Sequence, residues 1–162
     1  MALNAYLTAK GNKQGNIEGS VTQKGREKSV MVIAFSHEIV SPRDPASGLP
    51  TGKRMHKPLT ITKEVDRSTP LFYNALVNNE SLTDVKIKFW RPSATGAETQ
   101  FYTIELTNAT VASMATRMLN NKHPDLMKYA EFDEISFTYQ KITWTITDGG
   151  VTAMDDWETP VS

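Results

Sequence analysis

The most informative segment of the chain, called here the deciding stretch, is Gly52-Lys53-Arg54-Met55-His56-Lys57-Pro58-Leu59-Thr60-Ile61-Thr62-Lys63-Glu64-Val65-Asp66-Arg67-Ser68-Thr69-Pro70-Leu71-Phe72-Tyr73-Asn74-Ala75-Leu76. We predict a strand over residues 57–65. A short helix should follow it, because Thr69 offers an N-cap oxygen and Pro70 suits the first helical position. The apolar face of this helix consists of Leu71, Phe72, Ala75 and Leu76. The helix is therefore amphipathic.

Short strands precede this stretch, since apolar and polar residues alternate there with a period of two. The first strand begins near Leu3, and a turn rich in glycine and asparagine over residues 11–16 leads to a second strand near Ile17. Residues 29–39 are rich in β-branched and aromatic residues. Their continuous apolar centre predicts a strand that is covered on both faces.

The alternation returns after the helix. We predict strands over residues 83–90, 101–106 and 109–118. The last strong segment runs over residues 134–147, and its apolar positions change there from odd to even numbers. A β-bulge near Gln140 or Lys141 would reconcile the two sets of positions.

These elements predict a mainly β fold. Many strands of similar length, one helix and no strand-helix-strand rhythm indicate a two-sheet β-barrel or sandwich, with one short α-helix packed beside it and a long protruding loop. The 162 residues are typical of one domain, so we expect a single domain over residues 1–162. We expect a loose tail over residues 150–162.

The long loop runs over residues 40–52, just before the deciding stretch. It contains three prolines and two glycines, which remove backbone donors and interrupt regular structure. A loop of this length inside a small domain is uncommon, and it is usually either functional or disordered.

Composition excludes several classes of function. The 18 basic and 18 acidic residues give a formal net charge of zero, which argues against a broad nucleic-acid surface. Without cysteine there are no disulfides or thiolate metal sites, and this fits a reducing compartment. The alternating N-terminal residues form no signal peptide, and the longest nearly apolar run, residues 30–35, is too short to span a membrane.

The search for catalytic and ligand-binding patterns is negative. Residues 48–54 have the wrong spacing for a phosphate loop. The three histidines, His37, His56 and His123, lack the spacing of metal ligands. The adjacent acidic pairs at 133–134 and 155–156 should be solvated surface charge, because neighbours on a strand point to opposite faces. We predict no enzymatic activity, no cofactor and no metal.

The deciding stretch resembles the signature of the haemolysin-coregulated protein (Hcp) family. In that family a Gly-Lys-Arg-x-His-Lys-Pro turn enters a strand, and a Ser/Thr-Pro-Leu-x-Tyr-x-Ala-Leu segment opens the one main helix. The matching residues are Gly52, Lys53, Arg54, His56, Lys57, Pro58, Pro70, Leu71, Tyr73, Ala75 and Leu76. The first turn, the long loop, the middle hairpin and the last strand also resemble the family, so the likeness covers most of the chain.

The resemblance implies a structural role. Members of the family form hexameric rings that stack head to tail into the inner tube of the type VI secretion system, a contractile injection machine of Gram-negative bacteria. A contractile sheath surrounds the tube, a spike protein caps it, and effector proteins are carried or stabilised in the ring lumen. The resemblance therefore implies a protein that is cytoplasmic before firing and is then secreted.

A ring needs a heterologous interface whose rotation closes. The long loop is the candidate to reach an adjacent subunit or the next ring, because its prolines reduce the entropy lost on docking. Its candidate contact residues are Pro42, Arg43, Asp44, Pro45, Gly48, Leu49 and Pro50.

Two other functions remain open at this stage. A phage tail-tube protein would share the fold and the mechanics. A monomeric β-barrel that binds a small ligand or carbohydrate would use exposed tryptophans, and the candidates are Trp90, Trp144 and Trp157.

Overall fold

A computed structural model of the chain describes residues 1–157. The first seven strands are β1 (Ala5–Gly11), β2 (Gly15–Ile17), β3 (Val30–Val32), β4 (Ala34–Ser36), β5 (Ile39–Val40), β6 (Met55–His56) and β7 (Leu59–Glu64). Helix α1 (Thr69–Val77) follows β7. The remaining strands are β8 (Leu82–Pro92), β9 (Glu98–Arg117), β10 (Phe132–Thr138), β11 (Lys141–Ile146) and β12 (Val151–Asp156).

All strand pairs are antiparallel. Strands β5 and β6 form a separate two-stranded sheet, and the other ten strands form two sheets that share β9. The first sheet contains the order β2-β1-β8-β9, with β11 on the other side of β9, β12 beside β11, and β3 beside β1. The second contains the order β9-β10-β7-β4. Apolar side chains from both sheets and from α1 meet in one core, including Leu7, Ile87, Ile61, Phe137 and Phe72. The predicted mainly β, two-sheet fold with one helix is confirmed.

The predicted strands at 101–106 and 109–118 are one continuous strand of 20 residues, β9. Its first half pairs with β8 and β11, and its second half pairs with β10. Asn108, between the halves, has a left-handed backbone with φ of 51°. Because this residue adjusts the strand without ending it, the separation of the two apolar runs was misread as a break.

The parity change near Gln140 marks a change of sheet and not a bulge within one strand. Here β10 ends at Thr138 and β11 begins at Lys141. Since β10 belongs to the second sheet and β11 to the first, the chain crosses between them at Tyr139 and Gln140. Each strand then keeps its own alternation relative to the core.

Residues 29–39 form no single doubly covered strand. They divide into β3, which pairs with β1, and β4, which pairs with β7. Between them Ile33 is 46% exposed. The segment is another crossing from one sheet to the other, so its continuous apolar run covers two different surfaces in turn.

Helix α1 lies where it was predicted, but its N-terminus is not capped in the predicted way. Ser68 is the N-cap residue, and it makes no side-chain cap hydrogen bond. Thr69 lies inside the helix, where its hydroxyl donates to Asp133. The predicted Thr69 cap is therefore wrong, because a buried carboxylate takes that hydroxyl.

The prediction of a loose tail is wrong as far as Asp156, since residues 151–156 form β12 at the edge of the first sheet. The rest of that predicted tail, residues 158–162, lies outside the described residues. Within residues 1–157 no helix is long and apolar enough to cross a membrane.

Candidate assembly surface

The long loop is a hairpin with its own internal structure. At its base β5 pairs with β6 through Ile39 opposite His56 and Val40 opposite Met55. Further out, the amide of Thr51 donates to the carbonyl of Pro42 (3.0 Å). The amide of Asp44 donates to the carbonyl of Leu49 (2.9 Å). We call residues 39–56 the β5–β6 hairpin.

Asp44 organises the tip of the hairpin. Its carboxylate accepts hydrogen bonds from the Ser47 hydroxyl (2.6 Å) and from the amides of Ala46 and Ser47. The Ser47 hydroxyl is the main reason that the pKa of Asp44 lies below its usual value. Gly48 then takes a φ of 73°, which suits glycine because it has no Cβ to clash. The tip is therefore an ordered turn, and the Asp44 carboxylate is occupied by hydrogen bonds within it.

The surface of the hairpin presents apolar and basic groups. Leu49 is 64% exposed, and Pro45 and Pro50 are also exposed. Arg43 and Lys53 are exposed and make no ion pair with any residue in 1–157. This combination is typical of a surface that contacts another protein.

A partly buried ion pair holds the base of the hairpin to the edge of the first sheet. The guanidinium of Arg54 donates to both carboxylate oxygens of Asp155 on β12, at 2.6 and 2.9 Å, and also to the carbonyl of Asp156. The Arg54 guanidinium is the largest influence on Asp155 and lowers its pKa, with a smaller contribution from His56. A two-pronged pair of this kind fixes orientation as well as distance.

Two histidines and a tyrosine extend this anchor. His56, with a nearly buried side chain, donates from Nε2 to Asp155 (2.6 Å), and its Nδ1 lies 2.7 Å from the Tyr139 hydroxyl. The same hydroxyl lies 2.7 Å from Nε2 of His37. Burial lowers the pKa of His37, with a further contribution from His56, and burial raises the pKa of Tyr139. Trp157 packs against the His56 ring and donates to the Tyr139 carbonyl.

The entry to β7 completes the first half of the signature. Lys57 forms an exposed ion pair with Glu38 (3.2 Å), and its amide donates to the carbonyl of Glu38 (3.1 Å). Pro58 is exposed, and Gly52 has open space around it. These residues shape the junction where the hairpin meets the sheet.

A buried polar cluster attaches α1 to strands β7 and β10 of the second sheet. Lys63 on β7 is fully buried and pairs with the fully buried Asp133 on β10 (2.8 Å). Asp133 also accepts from the hydroxyls of Thr69 and Thr116, each at 2.6 Å. Burial alone would raise the pKa of Asp133, but the bonds from Lys63, Thr116 and Thr69 outweigh it and lower the pKa.

The helical signature residues have structural positions. Ala75 is buried, and Leu71 and Leu76 pack partly against the core. Pro70 is exposed in the first turn, and the Tyr73 hydroxyl lies 2.7 Å from that of Thr116. The two halves of the signature therefore attach to different strands, the hairpin base to β12 through Arg54 and the helix to β9 through Tyr73.

The comparison with known proteins gives one consistent result. A family model described as "Type VI secretion system effector, Hcp" matches residues 6–146. The chain is 41% identical to the "Major exported protein" of Pseudomonas aeruginosa, covering 100% of this chain and 99% of that protein. The chain belongs to the Hcp family. It is therefore a subunit of the type VI secretion tube.

Solved Hcp structures agree with this family assignment. A crystal structure of an Hcp protein has a TM-score of 0.90 and 31% identity, covering 97% of this chain and 99% of that one. The secreted protein Hcp3 from Pseudomonas aeruginosa has a TM-score of 0.79 and 33% identity, covering 96% and 99%. Membership of the Hcp family implies self-assembly into rings and export from the cell.

The Hcp fold leaves the three tryptophans partly buried. Trp90 lies under the guanidinium of Arg26, and the Cζ atom of Arg26 is 3.8 Å from the centre of the Trp90 ring. Trp144 and Trp157 pack against the core. None of them is an exposed contact residue, so the structure does not favour the ligand-binding barrel.

Sequence reasoning missed the polar partners of the signature. Asp133 and Asp155 are not solvated surface charge: the first is fully buried and the second holds the hairpin. The alternation in β10 could have predicted a buried Asp133, because this residue lies two positions before the inward-facing Ile135 and four before Phe137. No local pattern points to Asp155, Tyr139 or His37, because their roles depend on strands far apart in sequence. Among residues 1–157, no group of three or more histidine or acidic side chains is placed to hold a metal ion.

Proposed function

We propose that this chain forms a hexameric ring, that the rings stack head to tail into the inner tube, and that the β5–β6 hairpin is the intersubunit element. The observation that carries the proposal is the anchored hairpin. It is fixed at its base by Arg54 and Asp155, yet it presents Leu49 and Arg43 to solvent. A surface that is held in one shape loses little entropy when it docks.

The whole chain, residues 1–162, serves in this proposal as one tube domain. Its role is mechanical and not enzymatic. The sheath proteins contact the outside of the tube, the spike protein caps it, and effector proteins are carried in the lumen. The chain is cytoplasmic until the sheath contracts, and contraction then expels it.

The native mass of the purified protein tests the ring. We expect light scattering coupled to size exclusion to give a mass of about six chains, and negative-stain images of the same peak to show annular particles. A monomer across a wide concentration range would contradict the proposal. The chain would then have the family fold but would assemble only in the presence of a partner.

Deletion of residues 42–49 tests the hairpin, since β5 and β6 remain to close the shortened loop. We expect the variant to fold and to lose stacked tubes. A matched deletion of residues 120–127, an exposed segment between β9 and β10, should keep them. If the hairpin deletion assembles like the parent protein, the hairpin is not an intersubunit element.

A further inference from the structure

A continuous chain of hydrogen bonds lies under the base of the β5–β6 hairpin. The Tyr139 hydroxyl oxygen lies 2.7 Å from Nε2 of His37 and 2.7 Å from Nδ1 of His56. Nε2 of His56 lies 2.6 Å from the carboxylate of Asp155 on β12. His37 precedes β5 and His56 ends β6, whereas Tyr139 lies where the chain crosses from β10 to β11. The hydrogen bonds therefore fasten both strands of the hairpin to the two large sheets.

In the neutral chain each of these hydrogen bonds has one possible direction. Asp155 is ionised near neutral pH, since the Arg54 guanidinium lowers its pKa, so Nε2 of His56 donates to it. Nδ1 of a neutral His56 then carries no hydrogen and accepts from the Tyr139 hydroxyl. Burial raises the pKa of Tyr139, so this hydroxyl keeps its single proton. The Tyr139 oxygen in turn accepts from Nε2 of His37.

The two short separations beside the Tyr139 oxygen hold one hydrogen each. One added proton fits on Nδ1 of His37, outside these separations. It also fits on Nδ1 of His56, provided that the hydroxyl turns to the other tautomer of His37. If both histidines are charged, three hydrogens compete for two positions, because His37, His56 and Tyr139 all donate. Tyr139 is 5% exposed, and its hydroxyl would be a buried donor without an acceptor.

The surrounding charges also oppose a second proton. The Arg54 guanidinium already pairs with the Asp155 carboxylate. Asp156 follows on β12, and its backbone carbonyl also accepts from Arg54. The exposed Lys57 and Glu38 pair with each other and add no net charge. With both histidines charged, three cations would therefore share the two acidic residues of β12.

We propose that His37, Tyr139, His56 and Asp155 form a proton-operated latch, which holds the β5–β6 hairpin while at most one histidine is charged and releases it when both are charged. This inference goes beyond the proposed function and does not depend on it, because the latch lies within one subunit.

The direction of the pH response follows from His37. Burial, with a further contribution from His56, lowers the pKa of His37, so the closed latch binds its proton less readily than the open one. The closed state is therefore favoured above the ordinary histidine pKa of about 6.5 and is lost as pH falls below it. Because opening takes up one further proton, the ratio of open to closed hairpins should rise by at most about tenfold for each unit of pH.

The distance between two spin labels tests the latch, and labelling is specific because the chain has no native cysteine. The L49C/V151C variant carries one label near the hairpin tip and one on β12, both at exposed positions. Labelled chains are mixed with an excess of unlabelled chains, so that only distances within one subunit are measured. We expect a narrow distance distribution at about pH 7.5 and a broad one at about pH 5, where carboxylates with lowered pKa values stay ionised.

H37Q separates the latch from other effects of acid. The glutamine amide can donate to the Tyr139 oxygen but cannot take up a proton. Labelled H37Q should therefore keep the narrow distribution at about pH 5. H123Q is the matched control, because it removes an exposed histidine outside the latch, and it should broaden as the parent protein does.

Two results would overturn the latch. One is a parent protein with the same distance distribution at both pH values. The other is an H37Q variant that broadens in acid as the parent does, because the response would then belong to another group. Native mass is measured on the same samples. A chain that forms no ring but shows the acid response and its loss in H37Q would contradict the proposed function and support the latch.

Discussion

Arg54 and Asp155 are 101 residues apart in sequence, and their side chains form a two-pronged pair at 2.6 and 2.9 Å. One residue lies at the base of the hairpin and the other on the edge strand β12. The pair therefore couples the position of the projecting hairpin to the order of the last described strand.

We expect D155N to loosen the hairpin without unfolding the two sheets, because the neutral amide loses the charge that pairs with Arg54 and contacts His56. Hydrogen exchange at the Lys57 amide, which closes the hairpin base, should accelerate about tenfold or more through local opening. Amides within β7 should keep their protection.

The matched control for this variant is D148N, which removes an exposed acidic side chain in the turn before β12. It should leave the Lys57 amide unchanged. Equal exchange in D155N and the parent protein would show that the pair is not the anchor.

The buried Lys63–Asp133 pair should be costly to break on one side. K63M leaves the Asp133 carboxylate buried without its cation, so the free energy of unfolding should fall by about 3–5 kcal/mol. Urea unfolding followed by tryptophan fluorescence measures the change. The K63M/D133L double variant should recover much of the loss, since it removes the charge that was left unpaired. A double variant less stable than K63M would contradict this account.

Stability should fall with acidification in two ranges. The pKa of His37 is lowered by burial, so its contribution is complete above the ordinary histidine pKa of about 6.5 and is lost as pH falls through the lower folded value. The pKa values of Asp133 and Asp155 are also lowered, so their contributions are lost below about 3.9.

Melting temperature measured between about pH 7 and pH 3 checks both ranges. The H37Q variant should flatten the range below about 6.5 and leave the carboxylate range unchanged. H123Q alters an exposed histidine and should reproduce the parent profile. If the melting temperature of H37Q falls below about pH 6.5 as it does in the parent protein, another group is responsible for that range.

Asn108 should tolerate glycine better than valine. Both changes remove its hydrogen bond to Gln140 (2.9 Å), so the comparison isolates the backbone. Glycine accepts a φ of 51° freely, whereas a β-branched residue there costs about 1–3 kcal/mol. Equal urea midpoints for N108G and N108V would contradict this strain.

Local patterns were sufficient for most elements of the fold. Alternation placed β1, β7 and β8, and the helix followed from Pro70 and the apolar face that contains Phe72. These signals are local because side chains alternate with a fixed period on a strand or helix. The same patterns failed at residues 29–39, 108 and 140, where the chain continues or changes sheet. Sheet membership depends on pairing partners, and alternation does not encode them.

The sequence by itself determined the mainly β class, the single helix, the long loop and, through residues 52–76, the family. Only the tertiary structure decided why residues 52–76 contain Arg54, His56 and Lys63. Their partners Asp155, Tyr139 and Asp133 lie 70 or more residues away. A buried charge is stable only where the fold supplies an opposite charge or hydrogen bonds. The sequence pattern therefore identifies one residue of each of these pairs, and only the folded structure shows its partner.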